Sequence, residues 1–435
     1  MRLLIKNGTI VNSDVTLVSD VLVEEGKIIK IGNNIQPNSL SDKVIDATDC
    51  YVMPGGIDPH VHMHLPSPAG FSSDDFLSGS KAALQGGTTT LIDFVTPQKG
   101  QSLSDAIDQR KLEAAKSLTN TYFHVSPIEW RNSMEEEIET CFKNGFKSFK
   151  VYMAYKSSIG LNDDVLLKVM KAVGKAGGII TVHCELGDDI DELRDKLADE
   201  GSLSPEYHPL SRPAKFEAKA VKKAIELANK ANCPIYIVHV SSEESLKYIK
   251  EAQANGQAVM AETCPQYLLL NDSKYLGNFE QTAPYVMSPP LRKKEDNNAL
   301  WKAVADGTIV TIGTDHCPFT LNQKERGKHD FRSIPNGAGG VEHRIALLYT
   351  YGVLTGKISI NKFVEITSTN AAKIFGLFPA KGIIEVGADA DIIIWDKQKE
   401  NIISALSHHS NCDINIYEGV KTVGTPKVVI LNGLV

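Results

Sequence analysis

The spacing of apolar and polar positions changes twice along the chain. Through about the first fifty residues, short β-prone runs at Leu3 to Val11, Val15 to Glu25 and Lys27 to Ile31 are separated by Asn-Gly, Ser-Asp and Glu-Gly turn signals. About the last sixty residues return to that style, with a strand at Ala390 to Trp395 after Gly387-Ala388-Asp389 and another at Pro426 to Asn432. Between them, helical stretches alternate with short apolar strands. Helices are expected at Asp163 to Lys175, Ala218 to Lys230, Glu243 to Ala254 and Asn298 to Ala305, and glycines just past three of them (Gly177, Gly256, Gly307) read as C-cap signals. Eight strands are expected to end near His62, Phe94, Val125, Tyr152, His183, Val240, Thr263 and Asp315. Repeated strand–helix units of that number argue for a closed parallel barrel. The competitor, an open doubly wound sheet, lacks a G-x-G-x-x-G after any strand. The expected fold is α/β: a (β/α)8 TIM-like barrel at residues 55–375, with a small β-sandwich domain built from residues 1–54 and 376–435.

Composition narrows the class of function. With 42% hydrophobic and 23% charged residues over 435 positions, the chain has the makings of a sizeable core and no signature of disorder. A net charge of -7 offers no basic surplus for nucleic acid and does not favour an anionic membrane surface. The apolar run Leu3-Leu4-Ile5 is too short for a signal segment or a membrane span. The seven cysteines are scattered, odd in number and free of C-x-x-C pairs, which points to reduced thiols and a cytoplasmic location.

The residues at the strand ends carry the chemistry. His60 and His62 lie two apart on an extended run, so their imidazoles face the same way and suit one metal. Alone, that pair is better read as two incidental histidines on a surface loop. However, His183 ends the apolar run Ile179 to Val182, His239 ends Ile235 to Val238, and Asp315 ends Ile309 to Thr314. In a barrel those tips converge on one face. Lys150 lies in Phe146 to Met153, where alternation sends Phe149, Val151 and Met153 toward the helices and Ser148, Lys150 and Tyr152 inward. A buried lysine tends to lose its proton. The neutral amine can add carbon dioxide to give a carbamate able to bridge two cations; the alternative is an unmodified lysine paired with Asp315.

These segments resemble the dihydropyrimidinase and D-hydantoinase branch of the amidohydrolase superfamily. The resemblance spans Pro54 to His62, Ser148 to Lys156, Thr181 to Glu185, Ile237 to Ser242, Met287 to Leu291, Gly313 to Phe319, Ile334 to Glu342, Asn370 to Leu377, Gly387 to Asp391 and His408 to Gly419. It implies that His60, His62 and Asp315 hold one divalent metal, that His183 and His239 hold a second, and that N6-carboxylated Lys150 bridges them, with zinc the expected metal. It further implies that a metal-bridging hydroxide attacks the ring carbonyl, that Asp315 acts as general base and then acid, and that Tyr155 donates to the oxyanion. Ser288 and Asn336 match positions that hold the ring amide, largely through the backbone. Met63, Leu65, Tyr152 and Ile159 match a hydrophobic gate for the ring substituent.

The implied substrates are 5-substituted hydantoins, dihydropyrimidines or both, and the implied assembly is a homodimer or homotetramer. Dihydroorotase is disfavoured because no arginine follows His62, where the run is His62-Met63-His64-Leu65. Asp315 to Phe319 looks more like a hydantoinase than an allantoinase. A non-catalytic scaffold relative would have lost metal ligands, and a one-metal deaminase would lack Lys150. Two departures from the family pattern stand out: Leu186, where an asparagine is common, and a chain end at Val435, short of the family's longer tail.

Overall fold

The computed structural model describes residues 2–38 and 42–435. Eight parallel strands pair in chain order: Gly56–Val61, Thr88–Val95, Asn120–Val125, Ser148–Tyr152, Ile179–His183, Ile235–Ile237, Val259–Thr263 and Thr311–Ile312, here barrel strands 1 to 8. The ring then closes. The Asp315 amide donates to the His60 carbonyl at 2.9 Å, and the His62 amide donates to the His316 carbonyl at 2.9 Å. Closure leaves no exposed edge and gathers every C-terminal strand tip at one mouth.

The helices expected from periodicity are present: Glu243–Ala254 has the expected bounds, and Asp163–Ala176, Ala214–Ala231 and Lys294–Asp306 are longer than expected. Gly177 and Gly307 take the left-handed conformation at φ 85° as C-caps. Strands 6 and 8 are shorter than expected, at three and two residues. Their tips leave the ladder because His239 and Asp315 adopt φ 41° and 53°, a conformation non-glycine residues rarely accept.

Packing follows the alternation in strand 4. Phe149, Val151 and Met153 enter the main core with helix residues Val169, Met170 and Val173. Inside the far end of the barrel, Ile57, Ile92, Ile179 and Tyr236 pack with Ala371, Ala372 and Phe375, so the segment from Asn370–Ile374 onward plugs the end opposite the site. The fully buried Arg344 ties that end together, donating to the carbonyls of Ile57 and Ile312 at 2.8 Å each and to Thr88 Oγ1 at 3.1 Å.

Both chain ends share a separate seven-stranded sheet. Arg2–Val11 pairs with Thr16–Glu24 on one side. On the other it pairs with Lys43–Asp46 through residues 3–6 and with Cys50–Pro54 through Thr9 and Ile10. A register shift between Ile5 and Gly8 bends the strand where its partner changes. Cys50–Pro54 also pairs antiparallel with Ile392–Ile402, whose other neighbour is Lys421–Ile430, a longer ribbon than the apolar runs alone suggest. Leu3, Ile5, Val21, Val52, Ile392 and Ile394 form its own core. All seven cysteines are free and buried, and no helix among the described residues is long and apolar enough to cross a membrane.

Candidate active site and metal centre

The tip of strand 1 is bulged, with the register shifting between Asp58 and Val61, and it presents two imidazoles toward the tip of strand 8. His60 Nε2 and His62 Nε2 each lie 3.2 Å from Asp315 Oδ1. The ligand atoms of His60, His62 and Asp315 lie within 4.8 Å of one another. Across the mouth, His183 Nδ1 faces His239 Nε2 at 2.8 Å. The His60 and His239 rings are 5.4 Å apart and join the two halves. Lys150 is buried between them, with Nζ 4.9 Å from the Phe94 ring centre and 5.2 Å from that of Tyr152. Asp315 pairs with the histidines rather than with Lys150.

The residues suit divalent metals. Burial and the neighbouring cations lower His183 and His239, so both imidazoles are neutral and carry lone pairs. Two such nitrogens 2.8 Å apart are near the separation of about 3.3 Å expected for ligands of one tetrahedral zinc with Zn–N near 2.0 Å. His60 Nε2 and His62 Nδ1 are buried without a hydrogen bond. Burial would also lower His60, but Glu262 and Asp315 outweigh it and push it up to about 9, so negative charge concentrates where a cation would sit. Asp315 itself is held well below the usual carboxylate range: burial opposes ionisation, and His60 and His62 overcome it. Burial lowers Lys150 to about 8, which leaves some free amine near neutral pH for addition to carbon dioxide.

Behind the ligands stand residues that periodicity did not single out. Glu262 is fully buried on strand 7, accepts from His60 Nδ1 at 2.7 Å, and is held by Tyr236 Oη at 2.8 Å and the His239 amide at 3.1 Å. It fixes the tautomer that aims His60 Nε2 into the site. Glu185 does the same for His183, with Nε2 at 3.0 Å, and is anchored by Arg212 at 2.6 Å. An acid inside an apolar strand, and one two positions past a strand-end histidine, are the signals that would have revealed them. Glu262→Gln is expected to reduce metal affinity or kcat/KM by about 10–100-fold while the fold is kept. Metal titration and steady-state kinetics check this, and an unchanged affinity and rate would remove Glu262 from the site.

The expected substrate residues meet in part. Tyr155, at φ 59°, begins a tight turn whose carbonyl accepts from the amides of Ser158, Ile159 and Gly160. Its ring lies 5.2 Å from that of His183, and its hydroxyl is near Ser288, whose Oγ accepts from Asn336 Nδ2 at 3.0 Å. Burial raises its pKa and keeps it a proton donor. Tyr152 is buried 6.3 Å from Tyr155, and Leu65 and Ile159 are half-buried.

Met63 is not at the mouth. It is 0% exposed and its sulfur sits in the notch left by Gly79 on the helix Phe76–Gln85, where a Cβ would lie 2.2 Å from Sδ. The exposed aromatic on that loop is instead Phe71, stacked on His64 at 3.9 Å. Left-handed backbone at Tyr155, His239 and Asp315 adds strain of about 1–3 kcal/mol each, a cost that clusters at functional sites.

A closed parallel barrel with histidine, lysine and aspartate at its C-terminal mouth defines an amidohydrolase, and the profile of the amidohydrolase family matches residues 51–435. Within it, the chain belongs to the D-hydantoinase and dihydropyrimidinase family. It is 42% identical over 437 residues to the D-hydantoinase of Ralstonia pickettii, covering 100% of this chain and 95% of that protein. It is likewise 42% identical over 441 residues to the dihydropyrimidinase of Rattus norvegicus, covering 100% and 85%. The crystal structure of the dihydropyrimidinase from Brevibacillus agri NCHU1002 superimposes with a TM-score of 0.98 at 41% identity, covering 100% of this chain and 94% of that one.

Proposed function

We propose that this chain hydrolyses the cyclic amide bond of 5-substituted hydantoins, dihydropyrimidines or both. The observation that carries the reading is the convergence of His60, His62 and Asp315 with His183 and His239 around buried Lys150 at one barrel mouth. His60, His62 and Asp315 would hold one divalent metal, His183 and His239 a second, and carboxylated Lys150 would join them, with zinc the proposed ion. When bound, the metals polarise the ring carbonyl and lower the pKa of water.

The chain's own groups supply the rest. Asp315, ionised with two imidazole nitrogens 3.2 Å away, takes the proton of the attacking water and returns it to the leaving amide nitrogen. Tyr155 donates to the carbonyl oxygen as charge develops there. Ser288 and Asn336 hold the ring amide, and Leu65, Tyr152 and Ile159 bound the space for the substituent.

The supporting case against a substrate carboxylate is local: no arginine follows His62, and Arg212 near Tyr155 is committed to Glu185. The direct test compares ring opening of dihydrouracil, a D-5-substituted hydantoin, dihydroorotate and allantoin by the metal-loaded protein. Turnover of the first two at least about a hundredfold above the last two in kcat/KM is expected. Turnover confined to dihydroorotate or allantoin would overturn the assignment.

A further inference from the structure

The short helix Leu321–Lys324, just past the tip of strand 8, carries a lysine with no exposed surface. Lys324 Nζ donates to three main-chain carbonyls: Val286 at 3.0 Å, Pro335 at 3.1 Å and Gly337 at 2.9 Å. An ammonium has three N–H donors, so all are used. The ionisable groups near it are the buried thiols of Cys317 and Cys412 and the buried imidazole of His208 rather than carboxylates, and burial pushes Lys324 down to about 7. Burying a cation without a counter-charge disfavours folding, and here three carbonyl acceptors offset that cost.

The three carbonyls flank two residues of the site. Val286 lies two before Ser288, and Pro335 and Gly337 stand on either side of Asn336. The two segments also meet directly, Gly337 N donating to Val286 O at 3.0 Å and Asn336 Nδ2 to Ser288 Oγ at 3.0 Å. The other neighbouring carbonyls are tied back as well: Met287 O accepts from His208 Nε2 at 2.8 Å, and Pro289 O from Tyr267 Oη at 2.7 Å. Among the described residues, no hydrogen bond reaches the carbonyl oxygens of Ser288 and Asn336 themselves. The result is a shelf on which two main-chain acceptors are left open while those around them are secured.

We infer that Lys324 is a positioning residue for ring-amide recognition, setting the spacing of the Ser288 and Asn336 main chain through the carbonyls beside them. The inference rests on the proposed role of Ser288 and Asn336. Lys324 touches neither the substrate nor the metal ligands; its effect is on substrate binding through the shelf.

Lys324→Met keeps the length and apolar character of the side chain and removes all three donors; Lys324→Gln keeps a donor pair and serves as the conservative variant. In Lys324→Met, hydrogen exchange in peptides covering residues 284–290 and 333–340 is expected to quicken while the other barrel strands are unchanged. Metal content should match the parent, KM for a D-5-substituted hydantoin should rise about tenfold, and kcat should stay within about threefold. Lys324→Gln should recover part of the KM.

Unchanged exchange in these segments in both variants would overturn the inference, as would faster exchange with an unchanged KM. If the parent protein itself opens no cyclic amide, the proposed function fails instead, and exchange still decides whether Lys324 holds the shelf.

Discussion

A Lys150→Ala variant is expected to lose its bound metals and at least about a thousandfold in kcat/KM, roughly 4 kcal/mol of transition-state stabilisation. The reason is geometric. His60, His62 and Asp315 form one cluster, His183 and His239 another, and Lys150 is the buried group between them. In the proposed site the carboxylated lysine is the anion between the two halves, and without it the cations would repel one another across a low-dielectric site. The buried Lys150 Nζ lies over the Phe94 and Tyr152 rings, so removing the side chain leaves a space beside the proposed metal ligands. A small carboxylate such as propionate is therefore expected to restore part of the metal content and rate, whereas Lys150→Arg, which retains a positive charge and cannot carry the carbamate, should remain inactive. Elemental analysis and kinetics with and without propionate check this. Full metal content and activity in Lys150→Ala would mean that the lysine is only a packing residue.

The second large effect is expected at Asp315. Asp315→Asn should lower kcat by about 10²–10⁴-fold, the range typical of a lost general acid–base group. Its Oδ1 lies 3.2 Å from both His60 Nε2 and His62 Nε2, and its left-handed backbone aims it across the mouth rather than along strand 8. Asparagine preserves that shape but cannot take up a proton. Its cost should fall mainly on kcat, with KM changing by less than about tenfold. An equal rise in KM with unaltered kcat would place Asp315 in substrate binding instead.

Much of the site could be read from the chain because each ligand terminates an apolar strand. Such a run has one buried way to pack, and a barrel brings all such ends to one face. The expected strand ends at His62, His183 and Asp315 therefore carried spatial information, although the chain separates His60 from Asp315 widely. What escaped depends on partners distant in sequence. Glu262 looks like an ordinary acid in a short strand until His60 and Tyr236 converge on it. Met63 sits in a run with the look of a gate, and only the Gly79 notch on a neighbouring helix shows that it faces the core. Strands 6 and 8 were read as too long because left-handed turns at His239 and Asp315 have no signature in hydrophobic spacing. The switch of partners along Arg2–Val11 was hidden for the same reason: local pattern fixes a strand, whereas its neighbours are chosen by the whole sheet.

The most direct test of the account is elemental analysis of the purified protein, with ring opening of dihydrouracil and a D-5-substituted hydantoin assayed on the same preparation. The account predicts close to two divalent metals per chain, loss of both metal and turnover on chelation, and recovery of both when zinc and bicarbonate are returned. Absence of bound metal and of turnover, even after reloading, would contradict it.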